Sequence, residues 1–318
     1  MNELTLALLG ILAALASYLT TRFIRLWLIS ASILDHPNER SLHEAPMPRG
    51  GGFAFMFVLS LTVFLLALMG QFGVKAVQFI ILALGMAGVG WLDDRSGLSI
   101  RTRLAAQALF TLIALLQAWP LQGEGAIWFL PALIMWLWFI NLYNFMDGLD
   151  GLAAAQAIAI GLGVYWLTGD QLAFLLTAVV AGFALWNFPP AKIFMGDAGS
   201  LALGFLLGGL LLQTAAQGYI AAAIILPMYF LADATLTLIL RLLHGEKFWQ
   251  SHRSHFYQRA VTGGLTHRQV LLPFLLLQAV LVLLAVLLSV SHPVLSVIVA
   301  GVLTLSLLGY FWLCSYGE

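Results

Sequence analysis

QVLLPFLLLQAVLVLLAVLLSVSHPVLSVIVAGVLTLSLLGYFWL, residues 269–313, runs the length of two bilayer crossings without one Lys, Arg, Asp or Glu. One crossing takes about 20 mostly apolar residues. Residues 269–290 and 293–313 therefore read as two spans joined by a tight turn. The runs are continuously apolar and do not alternate, which favours helices over barrel strands, and lipid leaves no partner for an open backbone. The same reading applied outward gives further runs at 4–29, 51–69, 74–92, 104–119, 126–143, 152–168, 171–188, 199–215 and 219–242. The expected fold class is all-α, a polytopic membrane bundle of about eleven helices (ten to eleven), forming a single integral membrane domain over residues 1–318.

Composition agrees. Of 318 residues 62% are hydrophobic and 9% charged, against about 25% charged in soluble domains. The first apolar run continues into Arg22 and Arg25 without a small-residue cleavage site, so it reads as a retained span. The single cysteine, Cys314, excludes an internal disulfide or a thiolate cluster. With eleven spans, thirteen of the fourteen Lys and Arg residues fall on one side and only Lys75 on the other. The positive-inside rule makes the crowded side cytoplasmic, with the N-terminus outside and the C-terminus inside. Glycine-rich stretches such as GFLLGG at 204–209 read as helix-packing surfaces.

That rule does not govern carboxylates, yet Asp35, Asp93, Asp94, Asp147, Asp150 and Asp197 share the same side. Any one of them alone reads as a solvated helix end beside an arginine. Together they point to a site. In GWLDDRSG, residues 90–97, adjacent Asp93 and Asp94 offer oxygen ligands to a hard cation or accept a proton. In NLYNFMDGLDG, residues 141–151, Asn141, Asn144, Asp147 and Asp150 recur every three residues, and in a helix they would stack along one face. In PPAKIFMGDAGS, residues 189–200, the proline pair ends one helix and Gly196-Asp197 opens the next. A helix start with free N–H groups suits an anion, and an Asp there can hold a metal that bridges a phosphate.

The segment DHPNERSLHEAPMPRGGG, residues 35–52, is too rich in Pro, Gly and charge to span. It reads as a connector whose two arginines and His43 can meet phosphate. The loop from Arg241 to Arg268 carries His244, His252, His255 and His267, and reads as an anion-binding lid built on Arg253, His255 and Arg259 rather than as a zinc site. Asp233, inside the ninth run, is expensive enough there to require a partner or a function.

Carboxylates, a helix start and a basic loop at one bilayer edge suit phosphoryl transfer, where catalysis is positioning and charge neutralisation. In order and spacing, residues 35–52, GWLDDR, NLYNFMDGLDG and FMGDAGS resemble the polyprenyl-phosphate N-acetylhexosamine-1-phosphate transferases, the MraY- and WecA-type enzymes. The resemblance covers roughly residues 30–268. It implies transfer of a sugar 1-phosphate from a UDP-N-acetyl-amino sugar to undecaprenyl phosphate, with release of UMP and dependence on Mg²⁺ or Mn²⁺. It also implies a bacterial inner membrane, a lipid bilayer and no nucleic acid as partner, and admits a homodimer.

By motif, the resemblance implies Asp197 and Asn144 as metal ligands and Asp93, Asp94, Asp147 and Asp150 as catalytic. Asp35, Asn141, Arg253 and His255 are the implied substrate-binding residues. The chain departs from the family at RSHFYQ, residues 253–258, where many members carry His-x-His-His and Tyr257 and Gln258 stand for the later histidines. With no sign of a muramoyl-pentapeptide pocket, the resemblance favours the branch that initiates O-antigen or other surface glycans. Two rivals stay open: a membrane prenyltransferase, which would show Asp-rich repeats in two helices, and an ion-coupled transporter, which would place carboxylates near the midplane.

Overall fold

The computed structural model describes residues 2–37, 42, 45–118, 125–246 and 252–315. The apolar runs become helices with ends set by local chemistry: α1 (Glu3–Ser30), α2 (Gly52–Leu68), α3 (Val74–Ser96), α4 (Ile100–Ala118), α5 (Gly125–Phe145), α6 (Leu152–Thr168), α7 (Gln171–Asn187) and α8 (Asp197–Ala216). Then come α9 (Ile220–Ile225), α10 (Met228–Leu243), α11 (Phe256–Thr262), α12 (His267–Leu287) and α13 (Pro293–Cys314). The Asp170 carboxylate accepts the Leu172 and Ala173 N–H groups at the start of α7, and Thr266 with Gln269 forms a capping box on α12. Gly97 ends α3 at φ 63°, a left-handed geometry that glycine adopts without strain.

The eleven runs correspond to α1 to α8, the α9–α10 pair, α12 and α13. Among the described residues six helices, α1, α3, α5, α8, α12 and α13, have a segment long and apolar enough to cross a membrane on their own, and α2, α6 and α7 are shorter apolar helices. The ninth run, expected as one helix, is broken at Leu226-Pro227, because Pro227 has no N–H for a helical ladder. The seven-residue α11 and a two-stranded ladder, β1 (Leu34–Asp35) against β2 (Met47–Pro48), lie in segments expected as loops.

The most buried helix, α8, packs between α3 and α5 and also meets α2, α6 and α9. Small residues let the backbones approach: a Cβ at Gly52 would lie 2.2 Å from the Gly199 Cα, and one at Gly90 would lie 2.2 Å from the Asp197 carbonyl oxygen. Gly90 sits one helical turn before Asp94, so this contact sets how α3 meets the start of α8. Overpacking here costs typically 1–3 kcal/mol. Gly90→Val is therefore expected to lower the melting temperature in detergent and to reduce activity, whereas Gly88→Ala, facing open space, should do neither.

Outward faces stay apolar, with Leu4, Ile11, Phe23, Leu272 and Leu313 all more than half exposed, as a lipid-facing surface requires. The polar ends of the helices gather at one end of the bundle. Arg25 Nε donates to the Lys192 carbonyl at 2.9 Å and Arg268 Nε to that of Pro189 at 3.2 Å. The described parts of the loops at 31–37, 45–50, 144–151, 189–198 and 252–268 thus share one end.

Candidate active site

Residues 48–52 and 194–196 are bound to each other by backbone. Phe194 N–H donates to the Pro48 carbonyl, Gly50 and Gly51 N–H groups to that of Phe194, and Gly52 N–H to that of Met195, at 2.8–3.2 Å. Side chains at Gly51 and Gly52 would crowd this approach: a Cβ at Gly51 would lie 3.0 Å from the Phe194 carbonyl oxygen and 2.5 Å from the Phe183 ring, and one at Gly52 2.2 Å from the Gly199 Cα. The result fixes Arg49 beside the start of α8.

Arg49 Nη2 lies 2.7 Å from Asp94 Oδ1 and 2.9 Å from Asp197 Oδ1, and Nη1 lies 3.9 Å from Asp35 Oδ1. The Asp197 N–H donates to Asp94 Oδ2 at 2.9 Å, so a carboxylate of α3 caps the first turn of α8. Burial opposes the charge on Arg49, but Asp197, Asp94 and Asp35 outweigh it and hold the guanidinium above its ordinary range.

A cavity of about 210 Å³ opens in front of this cluster. Asp35, Arg49, Asp147, Asp150, Asn187, Asp197, Gln258 and His267 line it, with Gly148, Gly196 and several apolar residues. Asp150 accepts from the Ala191 N–H at 2.9 Å and lies 3.1 Å from His267 Nδ1, tying the start of α12 to the 147–151 turn. Asp147 has no such tie among the described residues. Burial first, then the charges of Asp197 and Asp94, push its carboxyl well above the usual carboxylate range, with Arg49 pulling the other way.

The remaining predicted residues divide. Adjacent Asp93 and Asp94 point about 100° apart around α3 and do not share a ligand space. Asp93 accepts from Arg103 Nη1 at 2.9 Å and from the Leu98 N–H at 2.8 Å, while Asp94 faces Arg49 and Asp197. The helix carrying Asn141 and Asn144 stops at Phe145, so the expected single polar face does not extend to Asp147 and Asp150, which sit in the following turn. Asn144 reaches α8, its Nδ2 donating to Ser200 Oγ at 2.8 Å. Asn141 turns to α4, donating to Gln107 Oε1 at 2.7 Å.

Within the basic loop, Arg253 is exposed and outside the cavity lining. His255 is buried at 2%, with Nδ1 3.1 Å from Asp233 Oδ1. Arg259 donates to the Ser254 carbonyl and lies over the Trp312 ring at 4.7 Å. These contacts hold the described part of the loop down; they do not form a lid of free donors. Arg40, His43 and Lys247 lie outside the described residues.

The sequence offers Arg49, with Arg40, as a contact for phosphate but not as the partner of Asp94 and Asp197, and it assigns no such places to Gln258, His267 or Ser200. The signal that marks Arg49 is the Gly-Gly-Gly directly after it, a request for close backbone approach.

A divalent cation, expected from the resemblance, fits in charge and donor type. Four carboxylates, Asp35, Asp94, Asp147 and Asp197, act on one guanidinium, and buried Asp94 Oδ1, though ion-paired, makes no hydrogen bond. Oxygen-rich, negatively charged surroundings suit a hard cation. Among the described residues, no three acidic, imidazole or thiol groups converge as a ready ligand set, because Arg49 stands between Asp94 and Asp197.

Comparison with known proteins shows what the chain is similar to. The glycosyl transferase family 4 model matches residues 76–215. The chain is 30% identical to decaprenyl-phosphate N-acetylglucosaminephosphotransferase of Mycobacterium tuberculosis, over 84% of this chain and 78% of that protein. It is 30% identical to a probable undecaprenyl-phosphate N-acetylglucosaminyl 1-phosphate transferase of Bacillus subtilis, over 82% and 79%. Similarity extends to phospho-N-acetylmuramoyl-pentapeptide-transferase of Moorella thermoacetica, 30% identical over 78% and 86%.

Proposed function

Because the chain belongs to the polyprenyl-phosphate N-acetylhexosamine-1-phosphate transferases of glycosyl transferase family 4, we propose that it moves a sugar 1-phosphate from a UDP-N-acetyl-amino sugar to undecaprenyl phosphate. The reaction forms a bond from a lipid phosphate oxygen to the sugar-bearing phosphorus and breaks the bond from that phosphorus to the oxygen bridging the donor's two phosphates. UMP leaves with the electron pair. The observation that carries this reading is the convergence of Arg49, Asp147, Asp150 and Asp197 on one cavity, with Asp94 buried behind Arg49, at one end of an apolar bundle. A lipid phosphate would present its head group at that depth.

Arg49 offers the donor fork that a diphosphate needs, whereas the first N–H groups of α8 are already taken, that of Asp197 by Asp94 Oδ2 and those of Gly199 and Ser200 by the Gly196 carbonyl. Asp94 orients Arg49 and caps α8, which makes it a positioning group in this arrangement. Asp93 acts at one remove, by holding α4 through Arg103. The Asp150–His267 pair and Gln258 present polar edges to the sugar or the nucleotide. A phosphate monoester has its second pKa near 6, so the acceptor is already largely a dianion and needs orientation more than deprotonation.

Asp197, Asn144 and Asp147 are the residues that would hold Mg²⁺ or Mn²⁺. Bound there, the cation would supply charge neutralisation at the transferring phosphoryl group. The bundle would cross the bacterial inner membrane about eleven times, with this end cytoplasmic, in keeping with the Lys and Arg bias. The names of the relatives make UDP-N-acetylglucosamine the first donor to test, and initiation of an O-antigen or related surface glycan is the proposed role.

Purified protein in detergent should release UMP when undecaprenyl phosphate, Mg²⁺ and one of a panel of UDP-N-acetyl sugars are all present, and not when the lipid is omitted. Absence of UMP with every donor would overturn the reading.

A further inference from the structure

The carboxylate of Asp233 is fully buried on α10 and accepts from five donors. Tyr229 Oη and Thr237 Oγ1 come from one turn either side on its own helix, at 3.2 and 3.3 Å. His255 Nδ1, from the residue just before α11, and the N–H groups of Phe256 and Tyr257, which open α11, come at 3.1, 3.1 and 3.3 Å. The two backbone donors open a helix and have no partner within it, so a carboxylate from another helix supplies what a local cap ordinarily would. Charge at this position is costly without such partners.

The contacts continue to the cavity. Tyr257 is fully buried, and its hydroxyl donates to the Phe145 carbonyl at 3.3 Å. A Cβ at Gly148 would lie 2.4 Å from that hydroxyl, so glycine is what permits the approach. Between Phe145 and Gly148 stands Asp147, in the cavity wall and without a side-chain hydrogen bond among the described residues. His255, with Nδ1 given to Asp233 and its ring buried, belongs to this hold and not to the cavity.

We propose that Asp233 is a positioning residue: it pins α11 to α10 so that Tyr257 latches the Phe145–Gly148 turn and fixes where Asp147 meets the substrate. The proposal rests on the phosphosugar transfer reading for the role of Asp147, while the latch itself can be read without substrate.

The test uses the full chain in detergent and two readouts. Tyr257→Phe keeps the ring and removes the hydroxyl; Asp233→Asn keeps the shape and removes the charge. Misplacing a reacting group by about 1 Å can cost roughly 10²-fold in rate. Both variants are expected to lower kcat about 10- to 100-fold with KM for the UDP-sugar little changed, and to speed amide exchange at residues 145–151. His255→Asn, whose amide can replace the Nδ1 donor, should retain most of the activity that His255→Leu loses. Tyr257→Phe with unaltered exchange and kcat would overturn the latch, as would His255→Asn failing as completely as His255→Leu. If the unsubstituted protein releases no UMP, the reaction is wrong, and the exchange experiment still decides the latch.

Discussion

Asp197→Asn is expected to reduce UMP release by about 10³-fold, the upper range for removing one preorganised electrostatic group from a phosphoryl- or acyl-transfer site, while the protein keeps its fold. The fold survives because the substitution is nearly isosteric and the backbone tie is untouched: the residue 197 N–H still donates to Asp94 Oδ2, as in the parent at 2.9 Å. What disappears is the negative charge that faces both Arg49, at 2.9 Å, and the cavity. If this carboxylate holds the cation, raising Mg²⁺ should recover part of the rate. Exchange of Ser200, one turn further on and bonded to Asn144, is the control for local structure. Turnover near that of the parent would remove Asp197 from the centre of the account.

Arg49→Met should be the most damaging change in the first loop, for activity and stability together. The thioether matches the stem of arginine in length but leaves Asp94, whose side chain is 5% exposed, facing Asp197 without the cation that lies between them. Breaking a buried pair by removing one partner costs roughly 3–5 kcal/mol. Here the guanidinium side is 34% exposed, so about 1–3 kcal/mol is expected, with kcat/KM falling by about 10²-fold or more. Arg49→Lys should rescue stability only in part, since one ammonium cannot span two carboxylates as a planar fork does. Adding Asp94→Asn to Arg49→Met removes the unpaired charge and should restore melting temperature without restoring activity. The cycle of single and double variants then measures the coupling. Arg49→Met with parental melting and turnover would contradict the geometry.

The sequence is informative wherever one segment suffices. Apolar runs expected at 152–168 and 171–188 are helices Leu152–Thr168 and Gln171–Asn187, because lipid forces each run to satisfy its own backbone. A hydropathy window passes over a single proline, so the break at Pro227 was hidden inside a run that is apolar on both sides. The seven residues of α11 are too few, and too polar in setting, to show a period.

The site was legible as a set and not as a geometry. Asp35, Asp147, Asp150 and Asp197 do line one cavity with Arg49, and Asp94 meets that arginine from behind, which the side of the membrane expected for all five suggested. Asp93 and Asn141 face α4 instead, through Arg103 and Gln107, since a helix turns about 100° per residue and spacing along the chain does not say which neighbour stands opposite. Arg49 and Asp197 are 148 residues apart in sequence, so only the fold shows that they touch. His255 was expected at substrate because of its motif. The burial that turns it toward Asp233 depends on α10, which no local pattern connects to residues 253–258.

The central claim is that this cavity joins a phosphosugar to a lipid phosphate. It is tested most directly with a UDP-N-acetyl sugar labelled at the phosphorus next to the sugar, incubated with undecaprenyl phosphate, Mg²⁺ and purified protein. The account predicts that the label passes to the organic phase as a lipid diphosphate sugar, one equivalent for each UMP released. Label remaining in the aqueous phase as free sugar phosphate, or staying on the intact donor, would contradict it.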